Sequence, residues 1–429
     1  MKKRLYIAVF SYLCMGQGRV VFFNDWIIMT ERLLKRKTGL LLFAAITAMM
    51  LGSCFKDEPD NAECDIEKAW IHFDNPLECV WSLNDTIHED SALVNRDLIV
   101  FKVRPGTDCS RLAPLFKLTP GAAIFPQNGS THDFTDDTIT YTVTSQDKEW
   151  QRTYRVAVQE QRRTSRDIIN YRFEHFDLYE VPNSTAKYYT WHEMLNDKDR
   201  EEIWASGNGG FRLSNFSARP EEFPTTPLEQ GYSGHGVQLV TRKTGPLAQA
   251  VNKRIAAGNI FLGSFDQTNA LKDAMRATRF GIRFDKKPLS LSGWYKYRSG
   301  DVFQNQDGSA VQGKRDAGTI YAVLYRNTDE VGHPVTLYGD DVLTSRYIVA
   351  KAVVNNIETT DGWTHFSADF DYRGKDVDYT LLSEFGYNLT IVCSSSIDGA
   401  YFQGAIGSTL CVDELTLTCE TELTAFSVR

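Results

Sequence analysis

From about Ala62 onward the chain runs in short stretches of alternating apolar and polar residues, each closed by Gly, Pro, Asn or Asp. A period of two is that of a β-strand with one buried face, and such frequent turn residues leave little room for long helices. Between Ala62 and Gln159 the stretches include Leu98 to Val103, followed by Pro105-Gly106, then Ile139 to Val143 and Thr153 to Val158. Their spacing predicts a small antiparallel sandwich over 62–160. After an Arg-rich linker at 161–170 the pattern resumes over 171–421. Candidate strands there are Tyr171 to Phe176, Gly236 to Arg242, Arg279 to Asp285, Leu289 to Tyr297, Thr319 to Arg326, Tyr347 to Val354, Trp363 to Tyr372, Asn388 to Ser394 and Thr409 to Cys419. So many strands in one unit predict a two-sheet jelly roll. Short helices are expected at Trp191 to Ile203, Leu247 to Ala256 and Thr268 to Ala274, where the apolar spacing changes. The expected fold class is all-β.

Composition agrees with folded β units. At 429 residues, 42% hydrophobic and 24% charged, the chain can bury the cores of two or three units and is not disordered. Its net charge of −8 is unevenly placed. Residues 1–53 hold eight of the 47 Lys+Arg and two of the 55 Asp+Glu, so 39 basic and 53 acidic residues follow. An acidic body lacks the concentrated positive charge that phosphates require, and no nucleic-acid partner is expected.

Lys35, Arg36 and Lys37 precede an apolar run from Leu40 to Leu51, broken by Thr47, that ends in Leu51-Gly52-Ser53-Cys54. The run is too short to cross a hydrocarbon core about 30 Å thick. Basic, apolar and small-residue regions in that order read as a signal peptide over 1–53, whose true start is expected at Met29. Small residues just before a Cys make Cys54 the expected lipidation site. The tether 54–61 contains the acidic stretch Lys56-Asp57-Glu58-Pro59-Asp60. It resembles the tag that carries some lipoproteins to the outer face of the outer membrane, and a solvated linker fits the same charges. The expected location is the outer membrane, lipid-anchored and facing the exterior.

Cys14 and Cys54 aside, Cys64, Cys79 and Cys109 lie in one half and Cys393, Cys411 and Cys419 in the other. An odd number per half prevents complete pairing within each, and no CxxC supports zinc. Buried free thiols are expected for most. The histidines form no HExxH, and Gly231-Tyr232-Ser233-Gly234-His235 fails the GxSxG elbow at its last position. No catalytic residue is assigned. Two carboxylates brought together across strands would nevertheless suffice for glycoside hydrolysis.

The motifs IWASGNGGF (203–211), AAGNIFLGSF (256–265), KPLSLSGWYKYRSG (287–300) and IVCSSSIDGAYFQGAIGSTLCVDELTL (391–417) together resemble the putative carbohydrate metabolism domain, PCMD. The segment with VRPGTD, LTPGAAIFPQNG and YTVTSQD resembles the immunoglobulin-like modules near the membrane end of bacterial surface lipoproteins, where a spacer is the default role. These resemblances imply an immunoglobulin-like sandwich followed by a jelly roll similar to carbohydrate-binding modules. They also imply a polysaccharide or oligosaccharide as partner, with surface glycan-uptake proteins as possible companions.

Alternation separates the faces of two strands. Leu289, Leu291, Gly293, Tyr295 and Tyr297 form one apolar set, which turns Trp294 and Lys296 outward; Phe366 and Phe370 belong to another, which turns Trp363 and His365 outward. Flat aromatics beside polar donors suit sugars, whose rings present CH faces and a rim of hydroxyls. A loop or the spacer module covering this face is the competing reading. Trp204 and Asn208, in IWASGNGGF, are further candidates for ligand contact, against a structural role in which Asn208 takes a left-handed turn and Trp204 plugs the sandwich. Asp413 falls on the apolar face of an unbroken strand, where a charge must be paired, hydrogen-bonded or metal-bound. VDELTL resembles the closing strand of carbohydrate modules whose Asp shares a structural calcium with an early Glu, here Glu174; a salt bridge or backbone hydrogen bonds compete with that account. The leading functional expectation is a non-catalytic, glycan-binding surface lipoprotein. A glycosidase and a structural or adhesive protein are the alternatives.

Overall fold

The two-residue period of the sequence is the period of burial in a computed structural model of the chain, which describes residues 60–89, 97–135, 138–181, 184–194, 200–267, 270, 273–355 and 357–421. In Leu98–Val103, for example, Ile99, Phe101 and Val103 point into a core while their neighbours do not. The described residues from Asn61 onward belong to one compact unit. The expected signal peptide, the expected lipidation site Cys54 and the segment through Pro59 lie outside the described residues. Among the described residues no helix is long and apolar enough to cross a membrane.

Two sheets build the N-terminal module. Ile66–Trp70 lies between Ile87–Glu89 and Leu115–Leu118; the second sheet runs Leu98–Val103, Gln151–Glu160, Ile139–Thr144, Ala123–Phe125. Phe101, Phe116, Tyr141 and Tyr154 fill the space between them. Leu98–Val103 runs parallel to Gln151–Glu160, so the sandwich is mixed rather than antiparallel throughout. These two strands are not hairpin neighbours, since others intervene in the chain, and only such a crossover permits parallel pairing.

The module packs directly against the second domain. The Trp81 and Phe385 rings lie 5.2 Å apart, and Arg283 donates to Asp85 at 2.5 Å. Burial pushes the Asp85 carboxyl up, and the Arg283 charge pulls it back. Lys102 meets Glu201 at 3.4 Å. The second domain also begins earlier than the 161–170 linker predicted, because Ile168–Tyr171 is already hydrogen-bonded to Thr409–Cys419.

Two facing sheets make the second domain. One runs Thr225–Leu228, Gly236–Val240, Thr409–Cys419, Pro288–Arg298, Thr364–Asp369, with Ile168–Tyr171 also on Thr409–Cys419. The other runs Trp204–Ala205, Asn259–Phe265, Tyr387–Ser394, Thr319–Arg326, Ile348–Val354. All these pairings are antiparallel, and the strand order crosses repeatedly between sheets, as in a jelly roll. Leu239, Leu291, Leu324, Phe366, Leu389, Leu410 and Leu417 are among the residues packed between them.

Several expected elements differ. Tyr171 to Phe176 is not one strand: Ile168–Tyr171 and Phe176–Glu180 are separated by a break with Phe173 at φ 57°. Arg279 to Asp285 divides at Gly281, which has φ 109° and whose Cβ would come within 2.7 Å of the Tyr325 hydroxyl. Thr278–Phe280 then pairs with Asn259–Phe265, and Ile282–Phe284 with Tyr387–Ser394. The helix expected at Trp191 to Ile203 is instead a short ladder, Glu193–Met194 against Arg200–Glu201. In Leu247 to Ala256 a single turn, Pro246–Gln249, precedes the strand Ile255–Ala256. Most of Thr268 to Ala274 lies outside the described residues, and the helical turn is at Ala274–Ala277. The six described cysteines form no disulfide; burial raises the Cys411 thiol to about 11 and that of Cys419 to about 12.

The face assignment holds for Leu291, Tyr295, Tyr297, Phe366 and Phe370, which are buried. It fails at Leu289, which is 42% exposed because the register slips between Pro288 and Ser290. Phe366→Ala should therefore cost about 3–5 kcal/mol in urea unfolding, whereas Leu289→Ala should change stability by no more than about 0.5 kcal/mol.

Candidate functional site

Three adjacent strands, Thr409–Cys419, Pro288–Arg298 and Thr364–Asp369, carry the outward residues. Trp294 stands in register with His365 on one side and Asp413 on the other. Directly paired residues of an antiparallel ladder share a face, so the three begin on the same side. Trp363 immediately precedes the outer strand, and the Lys296 ammonium lies 4.5 Å from its ring centre.

The hairpin loop between Thr225–Leu228 and Gly236–Val240 folds over this face. Tyr232, at its tip, stacks on Trp294 with ring centres 4.0 Å apart and planes 9° from parallel. It meets Trp363 edge-on at 6.2 Å, and Trp294 meets His365 at 5.1 Å. Trp294, Trp363, Lys296 and His365 are therefore brought together on one surface, partly covered by a loop that adds its own aromatic. Tyr232 is 46% exposed and was not among the sequence candidates. Its signal was present in Gly231-Tyr232-Ser233-Gly234-His235, an aromatic framed by glycines between two strands.

Two carboxylates hold the loop down. Asp413 is fully buried, yet not on the core face. A β-bulge at Glu414, which has φ 48°, sets one residue between Ser292 and Trp294 against two between Asp413 and Thr416. Leu410 and Val412 face the core before the bulge, and Leu415 and Leu417 after it. The unbroken alternation used for the sequence missed this extra residue. Asp413 Oδ2 accepts from the Ser233 N–H at 2.9 Å and Oδ1 from the Glu414 N–H at 2.7 Å. Burial pushes its carboxyl up, and these N–H groups with that of Tyr232 pull it back. Glu174, in the break after Tyr171, accepts from the His235 N–H at 3.1 Å and lies 3.0 Å from His235 Nδ1. A Cβ on Gly234, at φ 64°, would strike this carboxylate.

Calcium takes six to eight oxygen ligands, whereas the partners of both acids are N–H groups and an imidazole. Among the described residues no group of three or more His, Cys, Asp or Glu could hold a metal ion. This donor set does not fit calcium. Melting temperatures of metal-stripped protein should thus be equal in calcium and in chelator. Asp413→Asn, which turns an amide toward N–H donors, should lower both equally; a calcium-dependent difference removed by Asp413→Asn would restore the metal reading.

Beside the aromatics lies a hollow of about 410 Å³, lined by Arg172, Ser233, Ser292 and Thr416 as well as by Tyr232, Trp294 and His365. Glu414 is its one acidic lining residue, with Oε2 3.7 Å from Arg172 Nε. A two-carboxylate mechanism needs a partner acid at a defined separation, and the lining supplies none.

Trp204 and Asn208 lie elsewhere. Trp204 is 4% exposed, packs against Tyr171 and Phe173, and donates from Nε1 to Glu193 at 2.7 Å. Asn208 is fully buried at the start of a short helix, Asn208–Arg212. It donates to the Thr225 carbonyl at 2.8 Å and accepts from the Thr225 N–H at 3.1 Å. Both side chains spend their polar atoms inside the fold, so neither reaches the outer face; nor does Asn208 take a left-handed turn. Burial raises Glu193 to about 7, partly offset by its Trp204 hydrogen bond. The folded protein thus binds this proton more tightly than the unfolded chain, and the associated stability is lost as pH rises from about 4.5 to about 7. Glu193→Gln keeps an acceptor for Trp204 and should flatten the fall in melting temperature over that window.

Comparison with known proteins places these features. The family model described as "Putative carbohydrate metabolism domain" matches residues 172–418, and the model "SGBP, N-terminal" matches residues 82–158. A solved structure from Bacteroides thetaiotaomicron, described as a "putative glycoside hydrolase", is 37% identical. The match covers 86% of this chain and 100% of that one, with a TM-score of 0.72. A second, from Bacteroides vulgatus and described in the same words, is 39% identical over 58% of this chain and 98% of that one, with a TM-score of 0.54. No curated protein matches the chain. With a family model spanning more than half of its length, the chain belongs to the putative carbohydrate metabolism domain family, PCMD.

Proposed function

We propose that this chain is a non-catalytic glycan-binding protein of the bacterial cell surface, held at the outer membrane by the lipid expected on Cys54. The observation that carries the reading is the outward cluster of Tyr232, Trp294 and Trp363 beside a polar hollow. Apolar ring surface left at the exterior marks interaction sites, and sugar CH faces fit it. Hydroxyls of Ser233, Ser292 and Thr416, with Arg172 and His365, supply the hydrogen bonds that fix orientation. The N-terminal match to the SGBP family, of surface glycan-binding proteins, supports the location and the binding role.

Glycoside hydrolysis is the second reading, favoured by the descriptions of the two Bacteroides structures. Glu414 is the one carboxylate that lines the hollow beside the aromatics, which weighs against it. Binding on affinity gels containing neutral and acidic polysaccharides, together with reducing-sugar release, separates the two. Trp294→Ala and Tyr232→Ala should each weaken retention about tenfold or more while leaving the melting temperature nearly unchanged, with no sugar released by the parent protein. Release that disappears in Glu414→Gln would establish hydrolysis. Lack of retention on every gel would remove the glycan reading.

A further inference from the structure

The face does not end at His365. A second hollow, of about 560 Å³, lies along Thr364–Asp369 and is lined on that strand by the outward His365, Ser367 and Asp369 and, at their edge, by Phe366 and Ala368. Val354 and Asn355, at the end of Ile348–Val354, line it from across the gap. Each of the two strands is the last of its sheet; the sheets meet at a bridge between Lys351 and Asp371, and the hollow lies beside that bridge, where the edges part. His365 lines both hollows and joins them.

The two ends of this track differ in chemistry. One end offers ring faces. At the other, among the described residues, the outer edge of Thr364–Asp369 has no strand neighbour, and the backbone donors and acceptors of such an edge match a rim of sugar hydroxyls. Ser292 and Ser290 stand in register with Ser367 and Asp369, extending the polar strip inward on the same face. From Trp363 to Asp369 the strand advances about 20 Å at ~3.4 Å per residue, well beyond a single sugar ring.

Resting on the glycan-binding reading above, we propose that the site takes an extended glycan chain laid across both hollows, one segment stacked at Tyr232 and Trp294 and the next held along the free edge of Thr364–Asp369, rather than a single terminal sugar. Affinity should then grow with chain length until both hollows are filled. Blocking the second hollow should remove the gain without touching the contacts at the first.

The test uses full-length protein in detergent and affinity gels of xylan, galactan, galactomannan, amylopectin, pectin and mucin glycans. Oligosaccharides of increasing length from the retained polymer are then titrated calorimetrically. The hexasaccharide should bind about tenfold or more tightly than the disaccharide. Asp369→Tyr, which fills the second hollow, should reduce hexasaccharide affinity to that of the disaccharide and leave disaccharide affinity unchanged. Should Asp369→Tyr fail to fold, Asn355→Trp blocks the same hollow from its opposite wall. Equal affinity for the two lengths, or an undiminished hexasaccharide affinity in the blocked variant, overturns the extended-chain proposal while leaving glycan binding intact. Retention by no polymer overturns both.

Discussion

The second domain depends on the hydrogen-bonding of one strand. Thr409–Cys419 pairs with Pro288–Arg298 along nearly its whole length, and on its other side with Gly236–Val240 and then Ile168–Tyr171. It thereby joins the first strand of the domain, a middle hairpin and the outward-facing sheet centre. The bulge at Glu414 is the condition for this. It lets Leu410 and Val412 on one side of the kink, and Leu415 and Leu417 on the other, all face the same core. The residue displaced by the kink, Asp413, is left on the outer side with its carboxylate under the loop. The aromatic platform and the continuity of the core thus follow from a single extra residue.

Where the sequence was legible, one face of a strand was apolar and the other was not. Thr319–Arg326 and Thr409–Cys419 end where the pattern ends, and the outward placement of Trp294, Lys296, Trp363 and His365 followed from the same alternation. What the pattern hid were events of one residue. The slip before Ser290 exposes Leu289, the bulge at Glu414 moves Asp413 to the other face, and the break at Gly281 divides one apparent strand between two partners. A period-two reading carries no term for an inserted residue, so each such event reverses the expected face of everything beyond it. The loop bearing Tyr232 was hidden for another reason: a loop's position is set by what it lands on, and Asp413 and Glu174 are remote from it in sequence.

Trp204 and Asn208 show how a motif can be informative about fold and silent about ligand. The Gly-rich segment that carries them lies against the sandwich, and Asn208 pairs with both backbone groups of Thr225 as a third strand would. An amide is suited to this because it donates and accepts at once. The docking of the N-terminal module has a similar character. Trp81 and Asp85 lie far in the chain from their partners Phe385 and Arg283, and none of them is marked by any local pattern.

The loop over the platform separates anchoring from contact within five residues. Ser233 and His235 offer their backbone N–H groups to Asp413 and Glu174, and the space at Gly231 and Gly234 admits no side chain without striking those same carboxylates or nearby backbone. The Tyr232 side chain makes none of those hydrogen bonds and rests by its ring on Trp294. Evolution could therefore exchange the residue at this one position, or the hydroxyl next to it, and retune what the surface prefers while the sandwich beneath inherits no strain. Divergence of specificity within such a scaffold would be concentrated at the loop tip, with the glycines and the two acids as its fixed frame.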